Sequence, residues 1–305
     1  MCRAGGTVGI GAPLTHVPPP ISAPFGSATY VEEHGIRAID VGAPADPPSE
    51  AAYLDGVQRY AVEGRLGLVP IVRGYVAAAV MRREGDILRV AHSMSEEFIV
   101  ASLERLTSGQ RAALEDVGLP LYGCAERERS HPVLDVQLAA VVVQQRRERA
   151  ERRLAQERMA AAPHGWLVVD GAITELAPTL DRPANVLGLI KSHETQFLQG
   201  HDLETALTLP PGHRTSVFAR AAGERSEAYT WYLRLWPWED RDLLYGLVRI
   251  ERAPAARNVA DATTVSRWIL AERAPLAAPD GRWDRLIYPI HQVETYLRAQ
   301  AGGWW

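Results

Sequence analysis

The sequence predicts a mixed α/β domain in which helices pack against one β-sheet. Three observations lead to this fold class. Short runs rich in Val, Ile, Leu and Tyr alternate with Gly-containing turns along most of the chain, and such runs are typical of strands. One long segment near the middle carries apolar residues at helical spacing. Strands come first, then helices, then strands and helices again, which is the order of a mixed sheet covered by helices.

The composition is typical of a folded protein and excludes several classes. The 305 residues are 47% hydrophobic and 23% charged, which excludes a wholly disordered or fibrous chain. The net charge of −4 argues against a protein that coats nucleic acid by bulk electrostatics, although it leaves room for a local basic groove. Two cysteines are too few for a disulfide scaffold, so we expect a reducing, cytoplasmic setting. No apolar run approaches the roughly 20 residues that span a bilayer, so we expect no membrane association.

The first half of the chain is predicted to form an arm, a strand meander and a helix. Residues 1–50 are rich in Gly and Pro, and proline blocks helix interiors, so we expect an extended arm with one short element at Ala28–Ile39. Apolar runs predict three strands, at 52–62, 68–81 and 86–92. A helix is predicted over 95–116, with Ser95 as its N-cap and acidic residues in its first turn.

The second half is predicted to begin with a long helix over 132–161 and a buried strand at 166–171. Further strands are expected at 185–191, 214–221, 228–236 and 244–251, and further helices at 261–273, capped by Asp261, and 288–299. No linker divides the chain after residue 50, so we predict one domain over 51–301 with a helical insertion at about 95–160. A tail at 302–305 ends in two tryptophans.

An Asp-Gly pair follows an apolar strand segment twice, at Asp55 and at Asp170. An aspartate beside a glycine bend can point its carboxylate out of the sheet while another backbone approaches closely. Two such carboxylates on neighbouring strands can share a divalent cation, and hard oxygen ligands suit Mg²⁺ or Mn²⁺. The alternative is that each Asp-Gly is simply a turn dipeptide.

The charged half of the long helix supplies further carboxylates. Glu151 is spaced three residues from Leu154 of the apolar stripe, so it is the candidate to face the sheet. Glu157 is its rival for this role, and either glutamate could instead belong to a solvated helix face.

Several motifs, in the same order along the chain, resemble those of the NurA nucleases. They span roughly residues 50–300: an apolar-Asp-Gly-Val-Gln start, Arg-x-x-x-Glu-x-x-Leu-Ala (147–155), Leu-Val-Val-Asp-Gly (167–171), Gly-Leu-Ile-Lys-Ser-His (188–193), Tyr-Leu-Arg-Leu (232–235), Val-Arg-Ile-Glu (248–251) and Tyr-Pro (288–289). The resemblance implies an RNase H-like, Piwi-related core and a nuclease that uses two Mn²⁺ or Mg²⁺ ions on DNA ends. It further implies a homodimer that works with the hexameric ATPase HerA in DNA end resection and repair or in phage defence.

The resemblance also implies roles for individual residues. The first metal-binding aspartate, the helix glutamate and the second strand aspartate of the family correspond to Asp55, Glu151 and Asp170. Two metal ions held by such carboxylates activate a water and stabilise the leaving oxygen in phosphodiester hydrolysis. Lys191 is the single lysine among 33 basic residues, and its compact charge makes it the candidate to hold the scissile phosphate. The alternative for Lys191 is a solvated surface charge.

The last helix carries the remaining candidates for the site. Tyr288 matches the late active-site tyrosine of the family. The family has a histidine about two helical turns later, whereas this chain has Tyr296 there. Either His291 or Glu294 would replace that histidine as a ligand of the outer metal, because both residue types bind metals and move protons.

Four residues of the later strands are candidates for DNA contact. Trp231 could stack on a base while nearby arginines pair with the backbone; these are Arg214, Arg220 and Arg234. The competing interpretation is core packing of the tryptophan and surface charge on the arginines.

Two other functions stay open. A catalytically silent adaptor that docks on the translocase or on DNA is favoured by the missing late histidine. A nucleic-acid-guided Piwi-like protein is less favoured, because the chain is too short for additional guide-anchoring domains. The sequence has no Walker-type phosphate-binding motif, so ATP hydrolysis would belong to a partner.

Overall fold

The computed structural model describes residues 25–125, 131–173, 176–180, 185–221, 228–274 and 283–304. Its strands are Ser27–Tyr30 (β1), Ala38–Asp40 (β2), Ala51–Leu66 (β3), Val69–Glu84 (β4), Ile87–Ala101 (β5), Leu121–Gly123 (β6), Trp166–Asp170 (β7), Val186–Ile190 (β8), His213–Thr215 (β9), Phe218–Ala221 (β10), Ala228–Arg234 (β11) and Leu247–Arg252 (β12). Its α-helices are Ser108–Glu115 (α1), Pro132–Ala161 (α2), Gly200–Leu207 (α3), Ala256–Ala260 (α4), Ala262–Ala271 (α5) and Tyr288–Gln300 (α6). The predicted mixed α/β class is confirmed.

One mixed sheet organises the described part of the chain. Its strand order is β1-β10-β11-β12-β8-β7-β3-β4-β5-β6, and β2 pairs with β9, which joins β11. β3, β4 and β5 form an antiparallel meander, and β7 and β8 continue from β3 as parallel neighbours. The centre of the sheet thus consists of three antiparallel strands followed by two parallel ones.

Helix α2 covers one face of this sheet. It begins after His131, whose Nδ1 accepts hydrogen bonds from the backbone N–H groups of Val133 and Leu134, and Pro132 occupies its first turn, where a missing N–H costs nothing. Its buried residues include Leu154 and several alanines, which pack against Leu54 and neighbouring strand residues. The predicted helix over 132–161 is therefore confirmed.

Helices α5 and α6 cover the opposite face. Trp268 of α5 and Val293 of α6 share a core with Tyr53 and Trp231. Side chains of a strand alternate between faces, so on β3 Tyr53 faces α5 and α6 while Leu54 faces α2. By the same alternation, Asp55 of β3 lies on the face of α5 and α6, and Gly56 lies on the face of α2.

The predicted helix over 95–116 is wrong at its start. Ser95 lies within β5 and pairs with Ala77 of β4, and the strand continues to Ala101. The helix that follows is only α1, which begins after Thr107 with a capping box closed by Gln110. Phe98 and Val100 alternate into the core beneath α2, and pairing along the whole of β4 overrides the helical propensity of the acidic residues before them.

The segment before β3 contributes to the sheet. Within the predicted element at Ala28–Ile39 the structure has two strands, β1 against β10 and β2 against β9, and residues 1–24 of the predicted arm lie outside the described residues. Asp261 precedes α5 as predicted, but its side chain makes no capping hydrogen bond. α3 and α4 were not predicted from the sequence.

The tail packs on the chain itself. Trp304 stacks on Tyr75 with a centroid separation of 6.0 Å, and its Nε1 donates to Glu97 Oε1 at 2.9 Å. The final Trp305 lies outside the described residues. None of the helices described here is long and apolar enough to cross a membrane.

Candidate active site

Asp55 and Asp170 lie side by side on two parallel strands. The register pairs Leu54 of β3 with Val169 of β7, so the next residue of each strand is an aspartate. Both carboxylates fall on the face of Tyr53 and not on that of Leu54, since side chains alternate along a strand. Asp55 is 7% exposed. The two Asp-Gly pairs of the sequence therefore meet at one point of the sheet.

Glu151 comes from α2, on the other face of β3, and lies close enough to Asp55 to raise the pKa of that carboxyl. It lies against Gly56, where an added Cβ atom would overlap its carboxylate. Arg147, one helical turn earlier, forms an ion pair with Glu151 and donates from Nε to Gln58 Oε1 at 3.0 Å. Gly56 is needed here because any larger residue would push the glutamate away from the strand. Glu157 lies elsewhere, on the exposed face of α2, where it accepts from Arg153 Nε at 2.9 Å.

Two carboxyl groups of the site, those of Asp55 and Glu151, have raised pKa values. Burial, together with the negative charges of Asp170, Glu151 and Glu294, raises the pKa of Asp55 well above its usual value, against the opposing effect of Lys191. Burial also raises the pKa of Glu151 to about 7, although Arg147 opposes it. Clustered buried carboxylates of this kind favour a bound proton or a bound cation, which is typical of functional sites.

Lys191 follows directly after β8 and faces this cluster. Its Nζ donates to Asp170 Oδ2 at 2.7 Å, and its side chain is 11% exposed. The solvated alternative for this lysine therefore does not apply. β8 is parallel to β7 and pairs with it up to Asp170 and Leu189, so the lysine and the aspartate emerge at the same edge.

An open cleft of about 430 Å³ gives access to these groups. It is lined by Asp55, Gly56, Arg147, Asp170, Gly171, Ile190, Lys191, Ser192 and Arg285. Arg285 was not predicted from the sequence. It belongs to a short 3₁₀ helix, Trp283–Arg285, and no local pattern distinguishes it from the other arginines of the chain.

Of the three candidates on α6, Glu294 lies near Asp55, whereas Tyr288 does not line the cleft. Glu294 lies close enough to Asp55 to raise the pKa of that carboxyl, and it accepts from Arg298 Nη2 at 2.6 Å. His291 has a buried Nδ1 that makes no hydrogen bond within the described part of the chain. Tyr288 is half-exposed at the first residue of α6 and does not line the cleft.

The four candidates for DNA contact are buried. Trp231 packs in the core and donates from Nε1 to Ser266 Oγ at 2.9 Å. Arg214 pairs with Glu32 at 2.7 Å, and Arg220 pairs with Glu251 at 2.8 Å. Arg234 donates to backbone carbonyl groups, among them that of Leu207 at 2.6 Å.

Core packing accounts for Trp231, as the competing interpretation held, but the arginines are not surface charge. The guanidinium of each arginine donates hydrogen bonds to acceptors inside the protein. None of these arginines, nor Trp231, is therefore available to a DNA strand in this structure.

The donor set can be compared with the needs of a metal ion. The negative charge of Asp170 helps to raise the pKa of Asp55 and of Glu151, and a hard cation would relieve this crowding of negative charge. Nevertheless, within the described residues no three His, Cys, Asp or Glu side chains are already arranged to hold a metal ion. Arg147 and Lys191 instead neutralise Glu151 and Asp170. The donors therefore fit a divalent cation in their chemistry, and binding one would require these ion pairs to open.

The fold is similar to that of a known nuclease. The crystal structure of the NurA nuclease from Sulfolobus solfataricus matches 85% of this chain and 81% of its own, with a TM-score of 0.52 and 10% identity. The catalytic domain of human endonuclease V matches 83% of this chain and 82% of its own at 17% identity, but with a TM-score of 0.34, so only the first likeness bears on the fold. No family model and no curated protein matches the sequence. The chain thus has a NurA-like nuclease fold.

Proposed function

We propose that this protein is a metal-dependent nuclease that hydrolyses phosphodiester bonds of DNA. One observation carries the proposal: Asp55 and Asp170 stand side by side on parallel strands and line an open cleft together with Lys191, and Glu151 lies close enough to Asp55 to affect its pKa. The NurA-like fold supports it, because it has the same kind of sheet as a nuclease.

Asp55, Asp170 and Glu151 would hold the metal, with Glu294 or His291 as a further ligand. When bound, Mn²⁺ or Mg²⁺ would supply an activated water and neutralise charge on the leaving oxygen. The buried position of Asp55 helps the protein bind such an ion, because few waters compete with the carboxylate there.

Lys191 would leave Asp170 and donate to an oxygen of the scissile phosphate. Its Nζ is already at the edge of the cleft, 2.7 Å from Asp170 Oδ2, so a phosphate beside that carboxylate would lie within its reach. Arg147 would orient Glu151 from the side of α2. Tyr288 would contact DNA at the start of α6.

The remaining features of the proposal come from the resemblance of the motifs. We propose a cytoplasmic homodimer that acts on DNA ends together with a HerA-type hexameric ATPase, in end resection and repair or in phage defence.

Incubation of the purified chain with end-labelled single- and double-stranded DNA and Mn²⁺ tests the activity. We expect degradation that stops with a chelator and falls at least about 10³-fold in Asp55→Asn and Asp170→Asn, since each change removes a metal ligand. Asp116→Asn, at the exposed C-terminus of α1, is the matched control and should leave activity unchanged. Full activity in Asp55→Asn would refute the assignment of the site.

A second candidate function is an adaptor that has kept the fold without the chemistry. The ion pairs Lys191–Asp170 and Arg147–Glu151 support it, because each gives a carboxylate a partner that is not a metal. Calorimetric titration with Mn²⁺ separates the two functions: heat that disappears in Asp55→Asn supports the nuclease, and no heat in the wild-type protein supports the adaptor.

A further inference from the structure

We propose that Arg285, together with Lys191 and Ser192, forms a phosphate-binding subsite on one side of the cleft. The ligand is a backbone phosphate of DNA next to the bond that is cleaved, so this inference rests on the proposed function. The cleft is lined by the two aspartates, Asp55 and Asp170, and also by these three residues.

Arg285 is held at the cleft by contacts with Asp284 and with the backbone of Lys191. Its Nη1 donates to the backbone carbonyl of Lys191 at 3.3 Å. Its side chain is 26% exposed and lines the cleft beside Ser192. The guanidinium is therefore tethered to the same segment that carries the lysine, yet it keeps part of its surface open to a ligand.

The guanidinium of Arg285 makes one hydrogen bond among the described residues, from Nη1. Its Nε is buried and makes none, so a ligand would be met by the terminal nitrogens. The neighbouring Asp284 lies 3.4 Å from that Nε, but its Oδ2 accepts from the backbone N–H of Gly246 at 2.7 Å. The carboxylate is thus shared with the backbone and neutralises Arg285 only in part.

Other arginines of the same protein show what a purely structural role looks like. Arg220 donates to both oxygens of Glu251 at 2.8 Å, and Arg234 donates to several backbone carbonyls. Both are at most 2% exposed. Arg285 has one long hydrogen bond to a carbonyl and opens onto the cleft, so packing alone does not explain its position.

The chemistry of the three groups matches a phosphate. A guanidinium presents paired N–H donors that fit two phosphate oxygens, whereas an ammonium acts as a point charge. The exposed Ser192, which follows Lys191 and also lines the cleft, adds a hydroxyl donor. With Asp55 and Asp170 assigned to a cation and Arg147 paired with Glu151, Arg285 and Lys191 are the groups of the cleft that attract the negative backbone of the substrate.

Salt-dependent DNA binding tests the subsite without requiring catalysis. The Asp55→Asn protein, expected not to cleave, is titrated against a fluorescein-labelled thymidine oligonucleotide at several NaCl concentrations. Each lost phosphate contact lowers the slope of log K against log salt by about 0.7 for a single strand. We expect this decrease when Arg285→Gln is added, and a smaller loss of affinity with an unchanged slope when Arg285→Lys is added.

A matched control and a modified ligand sharpen the result. Arg89→Gln removes an exposed arginine of β5 outside the cleft and should leave the slope unchanged. A methylphosphonate removes the charge of one phosphate. An oligonucleotide that carries it at the contacted phosphate should bind the Asp55→Asn protein more weakly than unmodified DNA does. The protein with both Asp55→Asn and Arg285→Gln should bind the modified and the unmodified DNA equally well.

The outcomes separate this proposal from the proposed function. An unchanged slope in Arg285→Gln overturns the subsite, even where the wild-type protein cleaves DNA. A lower slope in a protein that never cleaves supports the subsite and refutes the nuclease. Absence of DNA binding at every salt concentration overturns both. Where Arg285→Gln fails to fold by circular dichroism, Arg285→Lys decides: affinity equal to that of the parent overturns the subsite.

Discussion

Two regions of the sheet bury charged side chains, and they balance that charge differently. In β10 and β12, Glu251 is fully buried between Arg220 and Arg249, which both pair with it. In β3 and β7, Asp55 and Asp170 stand side by side, and Lys191 pairs with Asp170. The first region has one carboxylate for two cations, whereas the second collects several carboxylates.

The pKa values show the consequence of this difference. Burial alone would raise the pKa of Glu251, but Arg249 and Arg220 together hold it below its usual value. At Asp55 burial and Asp170 act in the same direction, and the pKa is raised. A buried charge that is fully paired maintains the fold. A buried carboxylate cluster that remains short of positive charge favours a bound proton or a bound cation, and such clusters are typical of functional sites.

The largest effect is expected where the paired network is broken. Glu251→Ala leaves two buried arginines without a partner and removes the acceptor of the Ile173 backbone N–H, so the free energy of unfolding should fall by about 3–5 kcal/mol. Urea denaturation measures it. Glu251→Gln keeps the acceptor and should lose less. A loss below about 1 kcal/mol would mean that this pairing contributes no more than a surface salt bridge.

Removal of the charge of Glu151, at the candidate site, should instead raise the free energy of unfolding. The carboxyl group of Glu151 has its pKa raised from 4.5 to about 7 in the folded protein, so the folded state binds its proton more tightly than the unfolded state. The contribution is fully present below pH 4.5 and is lost as the pH rises to 7. Relative to the wild-type protein, Glu151→Gln should therefore gain on the order of 3 kcal/mol of unfolding free energy across this range.

Denaturation curves at pH 4.5, 6 and 8 without metal test the expectation. A difference between Glu151→Gln and the wild-type protein that stays constant with pH would contradict it, and would place this carboxylate with the paired charges of the first region.

A glycine substitution separates positioning from stability. Gly56→Ala places a Cβ against the Glu151 carboxylate, whereas Gly64→Ala, on the same strand, has nothing within 4 Å. Displacement of a catalytic group by about 1 Å costs up to about 10²-fold in rate. We expect a loss of about that size in DNA cleavage for Gly56→Ala, with little change in unfolding, and no loss for Gly64→Ala. Equal activities would show that Glu151 need not contact the strand.

The sequence predicted the carboxylate region better than the arginine region, for a physical reason. Asp55 and Asp170 each follow an apolar strand, so local pattern alone indicated where the two strands present them. The apolar stripe of α2 likewise predicted its whole length. The burial of Arg220 could not be predicted, because its acceptor lies 31 residues away on another strand. Local pattern also missed the extension of β5 through Ser95, which depends on pairing with β4.

The smallest effect is expected for the other glutamate of the same helix. Glu157 is half-exposed, and it pairs with Arg153 one turn earlier and lies 3.9 Å from His92. Such a helical surface pair stabilises by about 0.3–0.5 kcal/mol, so Glu157→Gln should shift unfolding by no more than this and should leave DNA cleavage unchanged. Both variants of α2 replace a glutamate by glutamine, so any difference between Glu151→Gln and Glu157→Gln comes from their position. A loss of cleavage in Glu157→Gln would assign the proposed metal-ligand role to Glu157. It would also contradict the contrast drawn between the buried Glu151 carboxylate and the solvated, paired Glu157 carboxylate.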